Sequence, residues 1–152
     1  MIESLARSPS ARDIMRQTPF FAELDESRHE VVLSLGTQQH WEAGEIVYRT
    51  GEPARYFYVL VQGIVRLTIG LDTRIASAGD ILHCGQVFGW AALTPDSTRR
   101  IATAACVTDA TVLAIHGPGL LAQMDLDHTL GYLLMRQLNR LVTGTLTACA
   151  AG

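Results

Sequence analysis

The sequence predicts a mainly β fold with flanking helices: an antiparallel double-stranded β-roll, or jelly roll, between N-terminal helices and a long C-terminal helix. Three observations predict it. Residues 40–116 are built of short apolar or alternating runs, and Gly44, Gly51, Gly63, Gly70, Gly79, Gly85 and Gly89 fall between them, as turns do in antiparallel rolls. Helical spacing of apolar residues occurs only before and after that block. The 152 residues, 48% hydrophobic and 18% charged, suffice for one domain with a real core. The whole of 1–152 is therefore read as one unit, with a helical cover at 1–36, the roll at 40–116 and helices at 117–152.

In the first zone, Thr18-Pro19-Phe20-Phe21 interrupts any long helix and supplies two aromatics for docking. Asp25 is placed to cap a helix whose apolar side carries Val31, Val32 and Leu35, and Gly36 stands where a left-handed residue would end it.

The roll follows, and roughly eight short strands are expected of a double-sheet architecture. In GIVRLTIGL, Val65, Leu67, Ile69 and Leu71 alternate with Arg66, Thr68 and Gly70, which gives one wet face. YFYVLVQG and VLAI are apolar throughout. Trp41, Tyr48, Tyr56, Phe57 and Tyr58 read as strand and core residues, because without a basic groove they lack half of a single-strand nucleic-acid binder.

The last zone opens on Gly117-Pro118, with proline suited to a first helical turn, and LLAQM continues a short helix. Asp127 is placed to cap the final helix. Leu130, Leu134, Leu138 and Leu141 lie on one face of that helix. The stripe either packs on its own roll or meets a second copy, and a homodimer through these four leucines is expected.

Composition excludes several classes. A net charge of −3 gives no electrostatic reason to expect nucleic acid as a partner. MIESLARSPSARDIMR has no apolar export core, and no run of about 20 apolar residues follows, so a cytoplasmic, non-membrane protein is expected. Cys84, Cys106 and Cys149 are dispersed and lack CxxC spacing, which favours reduced, mostly buried thiols over disulfides or zinc. His83-Cys84 is the one adjacent ligand pair, and strand geometry splays it, so no metal or cofactor is expected. No nucleophile elbow, paired carboxylates or Ser, His and Asp set stands out, so no enzyme is expected.

The most specific stretch is GQVFGWAALTPDSTRRIATAA, from Gly85 to Ala105. After Phe88, Gly89 permits a sharp turn and close backbone approach, and Trp90-Ala91-Ala92-Leu93 fits one helical turn before Pro95 limits it. Arg100 supplies paired donors suited to a phosphate, while Arg99 beside it is expected to face solvent.

These residues resemble the cyclic nucleotide-binding domain of the catabolite activator protein superfamily, from about Thr18 to about Leu146. AGEIVYRTGEPARYFYVLVQGIVRL is similar to that family's Ala-Gly-Glu pattern followed by an aromatic-rich strand, and VFGWAAL with RRIATAA to its phosphate cassette. In the family, an arginine eleven residues beyond the cassette glycine binds the cyclic phosphate, and Arg100 stands eleven beyond Gly89. The resemblance thus implies a ligand site of Phe88, Gly89, Trp90, Ala91, Ala92, Arg100, Ile101 and Ala102. It also implies that the last helix closes the pocket, where Gln137 and Asn139 are within its reach.

Two departures matter. The family carries a glutamate that accepts a hydrogen bond from the ribose 2′-hydroxyl where this chain has Trp90, and an indole N–H only donates. Ile101 replaces a hydroxyl residue of the family's namesake. The expectation is a sensory or regulatory domain with a degenerate cassette that binds cyclic nucleotides weakly and takes another anionic small molecule, a phosphate or carboxylate. Two alternatives stand: a working cAMP or cGMP receptor, and a ligand-free dimeric scaffold acting through the leucine stripe. With 152 residues, a stand-alone domain without a DNA-reading helix-turn-helix is expected.

Overall fold

A computed structural model describes residues 10–69, 81–94, 99–143 and 152. Helix α1, Ala11–Gln17, begins where the Ser10 side chain accepts from the Asp13 amide at 3.1 Å, and it ends before Pro19 at extended Thr18. Helix α2, Glu26–Ser34, is capped as expected by Asp25, whose carboxylate accepts from the Arg28 amide at 2.9 Å.

Gly36 plays a different part from the left-handed cap expected of it. The helix closes at right-handed Leu35, with φ −92°, and Gly36 is the first residue of strand β1, Gly36–Trp41. A Cβ there would stand 2.7 Å from Leu113 Cδ1 on the neighbouring strand, so crowding across the sheet requires the glycine. The roll consequently starts at Gly36 rather than at His40.

The remaining strands are β2 (Ile46–Tyr48), β3 (Tyr56–Gln62), β4 (Val65–Ile69), β5 (Ile81–Leu82), β6 (Val87–Phe88), β7 (Ala102–Cys106) and β8 (Ala110–His116). They form two four-stranded antiparallel sheets, ordered β1-β8-β3-β6 and β2-β7-β4-β5. The mainly β jelly roll with flanking helices is thus the observed architecture. Gly70, Leu71, Gly79, Pro95 and Cys149 lie outside the described residues.

Period-two geometry explains why β3 is apolar throughout. Phe57, Val59 and Val61 join the core beneath the helices, whereas Tyr58 and Leu60 join a second core between the sheets. Strand β8 divides the same way, with Leu113 and Ile115 on the helical side and Val112 and Ala114 between the sheets. In β4, Val65 and Leu67 are buried and Arg66 is exposed, the alternation expected of one wet face.

Helix α3, Gly117–Leu126, carries Pro118 in its first turn, and His116 Nδ1 accepts from the Gly119 amide at 3.1 Å. Helix α4, His128–Val142, starts on Asp127, whose carboxylate accepts from the Thr129 and Leu130 amides at 3.2 and 3.3 Å. The stripe expected to face a second copy docks on its own roll. Leu130 and Leu134 are 1% exposed and Leu138 9%, in one cluster with Phe20, Phe21 and Leu120, and Leu141 packs against its edge. The end helices are tied together by charge: Arg28 Nε donates to Asp127 Oδ2 at 2.8 Å, and Glu23 accepts from Arg136 and from Gln137.

Candidate functional site

Strand β6 delivers the chain to Gly89, whose φ of 80° and ψ of 28° lie in the left-handed region. The glycine is required twice over. A Cβ there would stand 2.9 Å from Arg100 Nη1 and 3.0 Å from the Tyr56 carbonyl oxygen, so its absence makes the space that the guanidinium fills. The expected helical turn follows as a 3-10 turn, Trp90–Leu93, with Ala91, Ala92 and Leu93 buried. Thr94 Oγ1 donates to the Ala91 carbonyl at 2.7 Å and closes that turn.

Arg100 is the centre of the site. It is only 3% exposed. Nη1 donates to the Gly89 carbonyl at 2.9 Å and Nη2 to the Tyr56 carbonyl at 2.6 Å, so the cassette turn and the start of β3 hold one guanidinium. Its carbon lies 4.1 Å from the centroid of the Tyr48 ring and 5.8 Å from that of Tyr58. Nη1 also lies 3.4 Å from the main-chain oxygen of Gly152, while Nε finds no hydrogen-bond partner among the described residues.

That environment is electrostatically unusual. Among the described residues no Asp or Glu side chain forms an ion pair with Arg100, and the cassette and β3 meet it with carbonyl dipoles and ring faces. Burial pushes the pKa of Arg100 down, with Tyr48, Tyr58 and Glu52 pulling the other way. Burial also pushes the Tyr48 phenol up, so it stays neutral beside the cation. Removing a charge from water without a counter-charge costs several kcal/mol, which an incoming anion would offset.

The aromatic floor is built by β2, β3 and β6. The Tyr58 and Phe88 rings stack at 5.0 Å with 16° between planes, and Tyr48 lies stacked against Tyr58 at 5.9 Å. Trp90 is half-buried and packs against both cores. Its indole is covered by Gly152, where an added Cβ would stand 2.6 Å from Cζ2.

Of the residues expected in the site, the structure brings Phe88, Gly89, Trp90, Ala91, Ala92 and Arg100 together. Ala102 is buried just behind them, at the start of β7. Ile101 is 44% exposed and contributes no polar group. Arg99 is exposed as expected, and its Nη1 donates to the Gly51 carbonyl at 2.9 Å. Gln137 is engaged by Glu23 at 2.5 Å. Sequence reasoning missed the Tyr56 carbonyl, Gly152 and the position of Tyr48 beneath the guanidinium, since nothing local in the sequence relates them to Arg100.

Other candidates fall elsewhere. No group of three His, Cys, Asp or Glu residues suited to a metal occurs among the described residues. Cys106 is buried, but Cys84 is exposed rather than buried, with its thiol donating to the Val61 carbonyl at 3.0 Å. A separate cavity of about 420 Å³, lined by His40, Trp41, Glu42 and Asp109, sits at the far end of β3 from the cassette. No described helix is long and apolar enough to cross a membrane.

With this geometry in place, comparison with known proteins is decisive for the family. The family model for the cyclic nucleotide-binding domain matches residues 38–127. The chain belongs to that family. Among solved structures, the N-terminal domain of a transcriptional regulator from Streptomyces coelicolor A3(2) superposes with a TM-score of 0.71 at 22% identity, covering 84% of this chain and 91% of that one. The catabolite activator protein of Thermus thermophilus gives 0.70 at 24% identity, covering 81% of this chain and 57% of that one. Both likenesses concern the fold. One curated relative, glutaminase 2 of Bradyrhizobium diazoefficiens, is 32% identical over 66 residues. The match spans 43% of this chain and 11% of that protein's length.

Proposed function

We propose that this cyclic nucleotide-binding domain is a sensory or regulatory module whose Arg100 cradle takes an anionic small molecule and reads no ribose. One observation carries the reading: Arg100 is a nearly fully buried guanidinium with no Asp or Glu side chain paired to it among the described residues and with its Nε unpartnered. A phosphate or carboxylate would supply the missing charge and accept from the free donor. Trp90 stands where an acceptor for a ribose hydroxyl would be needed, and Ile101 turns an apolar side chain to solvent. The cradle offers carbonyls, ring faces and a cation, with neither a nucleophile nor a general base against them, so we read it as a binding site rather than a catalytic one.

A working cyclic nucleotide receptor is the second reading, favoured by the retained Gly89 turn and by Arg100 beneath it. Calorimetry with cyclic AMP, cyclic GMP and inorganic phosphate, on the native chain and on Arg100→Ala, separates the two. Phosphate binding that is lost in Arg100→Ala, with cyclic nucleotides no tighter, supports the first. Micromolar cyclic nucleotide binding that collapses in Arg100→Ala establishes the second in its place. Should two copies associate, the leucine stripe is already used, and the outer side with Tyr132 at 63% and Leu126 at 80% exposure is the surface left for it.

A further inference from the structure

We infer that the Tyr48 hydroxyl is a ligand contact of the cradle, and that one oxyanion accepts from it and from Arg100 Nε together. The inference rests on the anion-binding reading above and adds a second binding residue to it. Arg100 Nε and Tyr48 Oη are both buried, and neither finds a hydrogen-bond partner among the described residues. They belong to groups in contact, since the guanidinium carbon lies 4.1 Å from the centroid of the Tyr48 ring. Buried polar groups are nearly always hydrogen-bonded, and an unmet one bears its full cost of desolvation. Two unmet groups on touching side chains share one explanation: a guest with at least two acceptor oxygens, such as a phosphate or a carboxylate, that supplies both bonds.

Folding does not account for the hydroxyl. Tyr48 is 5% exposed in the core between the sheets, where its ring lies against Arg100 and stacks on Tyr58 at 5.9 Å. A phenylalanine would make both contacts, because cation–π attraction needs only the ring face and Phe88 already stacks on Tyr58 in the same core. The oxygen is the one part of Tyr48 that packing leaves without a task. Burial raises the pKa of the phenol, so it keeps its proton and offers a donor to an anion.

The backbone holds the two donors together. Tyr48 ends β2 opposite Ala104 of β7. Just beyond it, the Gly51 amide donates to the Arg100 carbonyl and the Arg100 amide donates to the Glu52 carbonyl, each at 2.8 Å. One stretch, 48–52, thus carries the hydroxyl and clamps the main chain of Arg100, so the pair is positioned before a ligand arrives.

The test is Tyr48→Phe in the full chain, read by urea titration and by calorimetry with inorganic phosphate. The urea midpoint is expected to equal or exceed the native one, because an unmet buried hydroxyl is removed. Phosphate affinity is expected to fall about ten-fold, the low end of what a hydrogen bond to a charged group contributes. Equal phosphate affinity in the two proteins overturns the inference and leaves the anion-binding reading intact. Weaker binding together with a lower midpoint also overturns it, since the hydroxyl is then a structural group. A native chain that binds no phosphate overturns the anion-binding reading, and the Tyr48 contact with it.

Discussion

The guanidinium carbon of Arg100 lies 4.1 Å above the centre of the Tyr48 ring, and both residues are buried. A ring face attracts a cation through its quadrupole, by about 2 kcal/mol when the pair is desolvated. It does so without a formal charge. A carboxylate in the same place would hold Arg100 more strongly and compete with an incoming anion, whereas the ring leaves the positive potential available.

A residue held this way should serve binding more than folding. Replacing buried charges by apolar side chains of similar size is often neutral or stabilising. Arg100→Met gives up the bonds to Gly89 and Tyr56 but also removes a desolvated cation. The expected outcome is a Tm within about 4 °C of the native value. Phosphate affinity should fall by about ten- to 150-fold, the worth of one charged hydrogen bond. Differential scanning fluorimetry with calorimetry checks both. A fall of more than about 10 °C would mark Arg100 as a structural residue instead.

Trp90→Glu should restore what the cassette lacks. A glutamate at that position supplies acceptor oxygens for a ribose hydroxyl and uncovers the space that the indole fills. Cyclic AMP affinity should rise by about ten- to 150-fold over the native chain. Equal affinities in the two proteins would show that some other feature of the pocket, and not the indole, excludes the sugar.

Gly89 and Arg100 could be paired from sequence because the resemblance to the family's phosphate cassette carries the spacing between them, and the fold brings the two together. Tyr48 could not be placed, since its position beneath Arg100 depends on how β2 packs over β3 and β6. Gly36 shows another limit. A glycine after a helix satisfies the rule for a left-handed cap, yet its real constraint is Leu113 on a distant strand. The leucine stripe of the last helix had the right period, and periodicity defines an apolar face without saying what covers it. Phe20, Phe21 and Leu120 of the same chain cover it.

Glycines that look alike in sequence should differ in cost. Gly44 and Gly63 both have positive φ, 89° and 102°, but an added Cβ at Gly44 meets nothing within 4 Å. At Gly63 it would stand 2.5 Å from the Asp109 carbonyl oxygen and 2.8 Å from Ala110 Cα. Gly44→Ala should cost only the left-handed backbone penalty, about 1–2 kcal/mol. Gly63→Ala should cost about 3–5 kcal/mol, because backbone atoms and not a flexible side chain must move. Urea titrations of the two variants check the ranking, and equal midpoints would contradict it.

His29 should make stability depend on pH in a window that the carboxylates leave clear. It is 5% exposed on α2, and its Nδ1 finds no hydrogen-bond partner among the described residues. Burial lowers its pKa from the usual 6.5, and Arg16 and Arg12 add to this while Glu26 and Asp25 oppose it. Below 6.5 the unfolded chain therefore binds more protons at this site than the folded one, so stability falls as pH drops from about 6.5 toward the folded value. Glu23, Glu30 and Asp127 have carboxyls held below their ordinary 4.5, 4.5 and 3.8 by bonds to Arg136, Arg12 and Arg28. Their stabilising contribution is complete above those ordinary values and is lost only at lower pH. Between about pH 5 and 6.5 His29 contributes a slope of this sign. Tm measured across that interval should decline more steeply in the native chain than in His29→Leu, whose side chain fills similar space without titrating. Parallel curves for the two proteins would assign the pH response to another group.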